Sequence, residues 1–152
     1  MILKSFQRFT ETYNLLERAY NLNFFNRFRK EDNIIFISFE GGPGFELIAV
    51  RNFFKKNFDK DDVNLISKDI QESWINYTKL MNINFLKNDF KNSYVLHKIN
   101  CFSSKIFLIL SYVRAYIDNE KSFLLIKNLL ENNNVKGIFV SDRRKKIMLL
   151  IF

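Results

Sequence analysis

One short segment gathers most of the residues that could bind a ligand. Residues 40–44 read Glu-Gly-Gly-Pro-Gly and hold three of the four glycines and the only proline of the 152-residue chain. They follow a continuous apolar run, Ile34–Phe39, and precede a segment with helical spacing, Phe45–Phe58. A strand, a glycine turn and a helix in this order are typical of nucleotide sites, because ligands of open parallel sheets lie beyond the carboxyl ends of the strands.

The residues of this glycine turn separate three kinds of nucleotide site. A Walker-type phosphate loop ends in Gly-Lys-Ser/Thr, whereas Gly44 is followed by Phe45 and Glu46, so this kind of loop is excluded. A dinucleotide turn has the pattern G-x-G-x-x-G, and Leu47 stands at its third glycine position, which weakens that interpretation. An acidic residue at the strand end, Glu40, suits a ligand with an ammonium group better than one with a pyrophosphate.

Few other residues are candidates for chemistry. The chain has a single cysteine, Cys101, and a single histidine, His97, so it forms neither an internal disulfide nor a Cys/His zinc site. His97 has no acid or nucleophile partner at motif spacing and is interpreted as structural or exposed. Tyr112 and Asp118 are weak candidates for acid or base chemistry, since a strand-end aromatic and a helix cap explain them equally well. No catalytic residue is therefore assigned.

The elements around the glycine turn alternate between helices and strands. Apolar periodicity predicts an N-terminal helix or helix pair over residues 5–28, then the strand and helix that flank the turn. Further strands are predicted at 63–66, 84–86, 106–113 and 137–141, with helices at 69–81 and 118–131. Helical crossovers of this length imply parallel strands. The predicted class is α/β, a doubly wound, mostly parallel sheet in one domain, with a helical segment at 1–32 and the core at 33–152.

The glycine turn resembles motif I of the class I S-adenosylmethionine (SAM)-dependent methyltransferases, which reads acidic-x-Gly-x-Gly. It looks closer still to the Gly-Gly-Pro-Gly-x-acidic version found in a group of eukaryotic methyltransferase-like proteins, with Glu46 in the acidic place. In this family the turn binds SAM. The resemblance therefore implies SAM as the cofactor, bound by Glu40, Gly41, Gly42 and Gly44.

Later segments extend the resemblance over about residues 33–142. Residues 63–74 resemble the second strand of the family, whose terminal acid binds the ribose hydroxyls; Asp69, with Trp74 five residues on, fits best. Residues 88–90 resemble the turn after the third strand, where an acid meets the adenine amino group. Residues 108–112, with their Ser-Tyr ending, resemble the fourth strand of the family, and residues 137–142 resemble the fifth. The resemblance thus adds four residues to the SAM site: Asp69, Asp89, Phe90 and Ser111.

Each of these residues also has a purely structural interpretation. The glycines could serve close backbone packing alone, and Asp69 could cap the helix that follows it. Asp89 could be an ordinary turn residue, and Trp74 is favoured as a core residue over a lid on the cofactor. The sequence leaves both interpretations open.

The carboxyl-terminal part departs from the family pattern. A complete family sheet has seven strands, the last two forming an antiparallel hairpin, whereas residues 147–152 give at most a sixth strand here. We expect the last strands to be missing and one sheet edge to be left open. The N-terminal helices, a partner or a second copy could cover this edge, or it could stay uncovered. The fourth strand also lacks the Asn/Asp-Pro-Pro-aromatic signature of amino-directed methyltransferases. The methyl acceptor is therefore unidentified, and whether methyl transfer occurs is left open.

The net charge of +8 favours an alternative function. Residues 1–30 carry six basic and two acidic side chains, and residues 143–146 add four basic ones, so these two pieces account for the whole excess. A non-catalytic scaffold of the same fold could bind RNA or an acidic protein through these ends. The residues of the second basic piece are Arg143, Arg144, Lys145 and Lys146.

The sequence shows no membrane or export signal. No apolar run approaches the roughly 18–20 residues that a spanning helix needs, and the N-terminus lacks the pattern of a signal or transit peptide. We expect a cytoplasmic protein without a membrane partner.

Overall fold

A computed structural model describes residues 2–88, 104–111, 127–128, 131, 134–141 and 148–151. The helices are α1 (Ile2–Asn21), α2 (Phe45–Phe58) and α3 (Ile75–Leu80), with 3-10 turns at Phe24–Arg27 and Glu72–Trp74. The strands are β1 (Ile34–Phe39), β2 (Asn64–Asp69), β3 (Asn84–Lys87), β4 (Lys105–Ser111), β5 (Val135–Ser141) and β6 (Met148–Ile151). Most of the predicted helix 118–131 lies outside these residues; residues 127–128 are helical.

The described strands form one sheet in the order β3-β2-β1-β4-β5-β6. The first five strands are parallel to their neighbours, and β6 pairs antiparallel with β5. The strand order reverses direction between β1 and β4, which defines the switch point of a doubly wound sheet. The predicted α/β class and mostly parallel sheet are confirmed. Within the described residues β3 and β6 are the sheet edges. The sequence allows at most one strand in residues 147–152, and β6 is that strand.

The first strand lies in the interior of the sheet, between β2 and β4. All six residues of β1 are buried, as expected for a strand covered on both faces. Alternate side chains enter two separate apolar clusters: Ile34 and Phe36 pack on the α2 side, and Ile35 and Ile37 pack on the other side. The apolar run thus fixes β1 between two layers and places its carboxyl end at the glycine turn.

The N-terminal helix packs on the same core as the sheet. Its buried residues Leu15, Leu16 and Ala19 belong to the cluster that also contains the α2 side chains. The chain after α1 adds aromatic contacts, with the ring of Phe25 5.5 Å from that of Phe54 in an edge-to-face arrangement. Apolar and aromatic packing therefore holds α1 against α2. None of the helices in the described ranges is long and apolar enough to span a bilayer.

The structure differs from the sequence prediction after Ile66. Residues 67–69 continue β2 as a strand, whereas apolar periodicity ends the strand at 66 and starts a helix at 69. A 3-10 turn and the short helix α3 follow instead of one helix over 69–81. The polar side chains of Ser67 and Asp69 remain in the strand because the glycine turn provides their hydrogen-bond partners. Asp69 is therefore the last residue of a strand.

Candidate functional site

The register of three neighbouring strands brings three of the predicted site residues side by side. Phe39, the last residue of β1, pairs with the penultimate residue of β2 and with the penultimate residue of β4. The residues that come next are Asp69 in β2, Glu40 after β1 and Ser111 in β4, and they occupy adjacent positions at the carboxyl edge. Because β1 and β4 flank the switch point, this edge is where a ligand is expected.

The glycine turn changes the chain direction through three left-handed residues. Glu40, Gly42 and Gly44 have φ angles of 53°, 52° and 87°. Gly44 is the N-cap of α2, and its N–H donates to the carbonyl of Gly41 at 2.9 Å. The left-handed region costs a residue with a side chain about 1–2 kcal/mol, so Glu40 needs contacts that hold it there.

Gly41 lies where two strand ends come together. A Cβ atom at Gly41 would approach the Oγ atoms of Ser38 and Ser67 to 2.8 Å each, closer than real contacts allow. Ser67 Oγ in turn donates to the carbonyl of Gly42 at 2.9 Å. Gly41 therefore allows close packing against these two serine side chains, and its role in cofactor binding stays a prediction.

Asp69 joins the end of β2 to the glycine turn. Its Oδ2 accepts a hydrogen bond from the N–H of Gly42 at 2.9 Å, and its Oδ1 accepts one from the N–H of Gln71 at 2.9 Å. The residue is 6% exposed. Since each carboxylate oxygen can accept more than one hydrogen bond, the carboxylate has acceptor capacity left for a ligand. Asp69 thus braces the turn, and its role in ligand binding stays a prediction.

Gly42 and Trp74 border a space beside this carboxylate. A Cβ atom at Gly42 would lie 3.7 Å from the Trp74 indole and 4.0 Å from Asp69 Oδ2, at ordinary contact distance. Trp74 is half-buried, and it belongs to neither of the two apolar clusters. Its ring meets that of Tyr77 at 5.7 Å. The favoured interpretation of Trp74 as a core residue is therefore wrong: it flanks the glycine turn.

A buried carboxyl group lies behind the turn. Glu46, in the first turn of α2, is fully buried, and its Oε1 accepts from Ser38 Oγ at 2.7 Å and lies 3.5 Å from Arg8 Nη1. Its Oε2 has no hydrogen-bond partner among the described residues. Burial raises the pKa of the Glu46 carboxyl, and this effect outweighs the opposing charge of Arg8 and the hydrogen bond from Ser38.

The raised pKa of Glu46 predicts how stability depends on pH. The native state holds the Glu46 proton more tightly than the unfolded state, so this group's contribution is greatest below its ordinary pKa of 4.5 and is lost as the pH rises through the raised value. We therefore expect the free energy of unfolding of Glu46→Gln, taken relative to that of wild type, to increase from pH 5 to pH 8. Urea unfolding at both pH values measures this.

An exposed carboxylate provides the control for this experiment. Glu72 forms an ion pair with Lys87 in which both side chains are more than half exposed, so Glu72→Gln should show no such trend. A difference in free energy of unfolding between Glu46→Gln and wild type that decreases as the pH rises would contradict the raised pKa of Glu46.

Ser111 is buried at the end of β4, and its Oγ has no hydrogen-bond partner among the described residues. No group of three or more His, Cys, Asp or Glu side chains suited to a metal ion comes together in the described ranges. Several predicted residues lie outside the described part of the chain: Asp89, Phe90, His97, Cys101, Tyr112, Asp118, Arg143, Arg144, Lys145 and Lys146.

Three residues of the site were missed by sequence reasoning. Ser38 and Ser67 are polar residues in strands, and a serine within the apolar run of β1 is a signal that could have identified Ser38. Arg8 carries no such signal, because it lies 32 residues before Glu40 in sequence and meets it only in the fold. Its Nη1 donates to the Glu40 carbonyl at 3.2 Å.

Comparison with solved structures identifies the fold. The plantazolicin methyltransferase BpumL in complex with S-adenosylhomocysteine (SAH) matches with a TM-score of 0.56 and 22% identity, over 91% of this chain and 48% of that protein. A SAM-dependent methyltransferase from Clostridium acetobutylicum matches with a TM-score of 0.56 and 12% identity, over 87% and 49% of the two chains. The CurJ carbon methyltransferase matches with a TM-score of 0.59 and 10% identity, over 85% and 34%.

The described sheet and these matches show the fold of the class I methyltransferases. The chain spans about half the length of the first two of these proteins and a third of CurJ. No family model matches the chain, and no curated protein matches it significantly.

Proposed function

We propose that this chain binds SAM at the glycine turn and transfers its methyl group to an acceptor that is still unidentified. One observation carries the proposal: at the switch point of a class I methyltransferase fold, the carboxylate of Asp69 binds the Gly42 N–H and keeps acceptor capacity beside a glycine that has no side chain. Support also comes from the matched BpumL structure, which was solved with SAH.

The residues at this edge fit the chemical groups of SAM. The remaining acceptor capacity of Asp69 suits the two ribose hydroxyls, which are hydrogen-bond donors. The missing side chain of Gly42 leaves a cradle between Asp69 and Trp74 that a Cβ atom would begin to fill. Glu40 adds an acidic residue suited to the ammonium group of the methionine part. A phosphate group beside Asp69 would meet a carboxylate and be repelled.

The chain's own task in such a reaction is binding and alignment. SAM supplies, when bound, an activated methyl group on a sulfonium. Asp69 and the backbone of the turn would fix the nucleoside part, and Ser111, adjacent to Glu40 across the strands, would face the same edge from β4. Holding two reactants in line supplies a large share of rate enhancement without covalent help from the protein. No general base is assigned to this chain.

Trp74 gives a direct test of the ligand class, because it is the only tryptophan and it flanks Gly42. We expect titration with SAH to change the Trp74 emission with a micromolar midpoint. ATP and NADH should bind at least about tenfold more weakly, since placing like charges together costs free energy. Tighter binding of ATP or NADH than of SAH would contradict the proposal.

A second candidate function is a non-catalytic scaffold that binds RNA or an acidic protein. The concentration of the +8 charge in residues 1–30 and 143–146 favours it. It predicts affinity for single-stranded RNA that falls steeply with salt. Replacing Arg143, Arg144, Lys145 and Lys146 by glutamine should reduce the slope of log K against log salt by about 3. An unchanged slope would contradict this function.

A further inference from the structure

The glycine turn is held from outside the sheet by the N-terminal helix. Arg8 in α1, with a side chain 25% exposed, donates from Nη1 to the Glu40 carbonyl at 3.2 Å and lies 3.5 Å from Glu46 Oε1. We propose that Arg8 is a positioning residue of the SAM site, which makes α1 a part of that site. The identity of the ligand in this inference rests on the proposed function, whereas the effect of Arg8 on the turn does not.

Glu40 is the residue of the turn that most needs such a contact. Unlike Gly42 and Gly44, it adopts the left-handed conformation with a side chain. A residue with a side chain stays in that conformation only when contacts with its surroundings hold it there. The Arg8 guanidinium supplies a charge-assisted hydrogen bond to the carbonyl of this residue, at the point where the chain leaves β1.

The same guanidinium reaches the other end of the turn. Glu46 follows Gly44 by two residues, and its Oε1 lies against both Arg8 and Ser38 of β1. Arg8 thereby links α1 to the first residue of the turn and to the helix that begins after it. Gly42, between these two points, is the residue whose N–H binds Asp69. A change at Arg8 should therefore move the backbone that braces the ribose-binding carboxylate.

Removing Arg8 should affect the turn more than the fold. The attachment of α1 depends on Leu15, Leu16 and Ala19, which are all buried in the main apolar cluster. Aromatic packing of Phe25 against Phe53 and Phe54 holds the end of the helical segment. These contacts lie apart from Arg8, so the variant should keep α1 in place.

The variants are chosen to separate turn geometry from charge. Arg8→Met alone would leave the buried Glu46 without its neighbouring cation, so Arg8→Met is combined with Glu46→Gln and compared with Glu46→Gln alone. Arg18→Met is the matched control, because Arg18 is an exposed residue of the same helix and loses the same charge. The readouts are the melting temperature, acrylamide quenching of Trp74 in the ligand-free protein, and the Kd for SAH.

The double variant should melt within a few degrees of Glu46→Gln, show stronger quenching of Trp74, and bind SAH at least about tenfold more weakly. Arg18→Met should match wild type in all three readouts. Quenching and SAH affinity equal to those of Glu46→Gln would overturn the role of Arg8. If wild type itself does not bind SAH, the proposed function fails, and the quenching comparison alone supports or overturns the role of Arg8.

Discussion

Replacing Gly42 by asparagine is expected to weaken SAH binding about hundredfold or more while the protein remains folded. Asparagine tolerates the left-handed conformation of Gly42 better than other residues with side chains. Its side chain would enter the space between Trp74 and Asp69, where a Cβ atom alone lies 3.7 Å from the indole. The backbone is preserved and the proposed ligand volume is filled. Calorimetric titration with SAH and a thermal melt measure the two effects.

The alanine variant separates backbone strain from loss of space. Alanine is more strained than asparagine in the left-handed conformation of residue 42. Gly42→Ala adds only the Cβ atom, however, and that atom meets its neighbours at ordinary contact distance. If the ligand occupies this space, affinity should fall in the order wild type, Ala, Asn, whereas stability should be lowest for Ala. Wild-type affinity in Gly42→Asn, or a larger loss in Ala than in Asn, would contradict the site.

Asp69→Ala is expected to lower both SAH affinity and stability. The change removes the acceptor of the Gly42 and Gln71 N–H groups, and an unsatisfied buried donor costs about 1–3 kcal/mol. For a chain of this size each kcal/mol shifts the melting temperature by about 2–4 °C, so a decrease of several degrees is expected. Loss of the ribose contacts and of the braced turn together should weaken SAH binding about hundredfold.

A carboxylate outside the site controls for the change in charge. Glu72 lies three residues after Asp69, and its ion pair with Lys87 at 2.9 Å is exposed, so Glu72→Ala should alter stability by less than about 1 kcal/mol and leave SAH affinity unchanged. Asp69→Ala with wild-type affinity, or Glu72→Ala with an equal loss, would show that Asp69 has no specific role in binding.

The first strand, the turn and the second helix could be predicted from the sequence because their signals are local. The apolar run gives β1 its bounds, and the three glycines and the proline interrupt the pattern before α2 begins at Phe45. The residues after Gly44 also exclude a Walker loop, because Phe45 and Glu46 stand where Lys and Ser or Thr are needed. These features depend on neighbouring residues alone, so no tertiary contact was needed to infer them.

The end of β2 could not be predicted in the same way. Apolar periodicity stops at Ile66, but pairing with β1 continues to Lys68, and the polar residues find their partners in a turn more than 20 residues away. The same limit applies to Arg8, whose contacts with Glu40 and Glu46 span 32 and 38 residues of sequence. Side-chain partners brought together by the fold leave no spacing pattern in the sequence.

The most direct test of the central claim is isothermal titration of the purified chain with SAH and with SAM, alongside a thermal melt. We expect one molecule of either ligand to bind per chain with micromolar affinity and to raise the melting temperature. A protein that melts cooperatively but gives no heat and no stabilisation with either ligand would contradict SAM binding at the glycine turn.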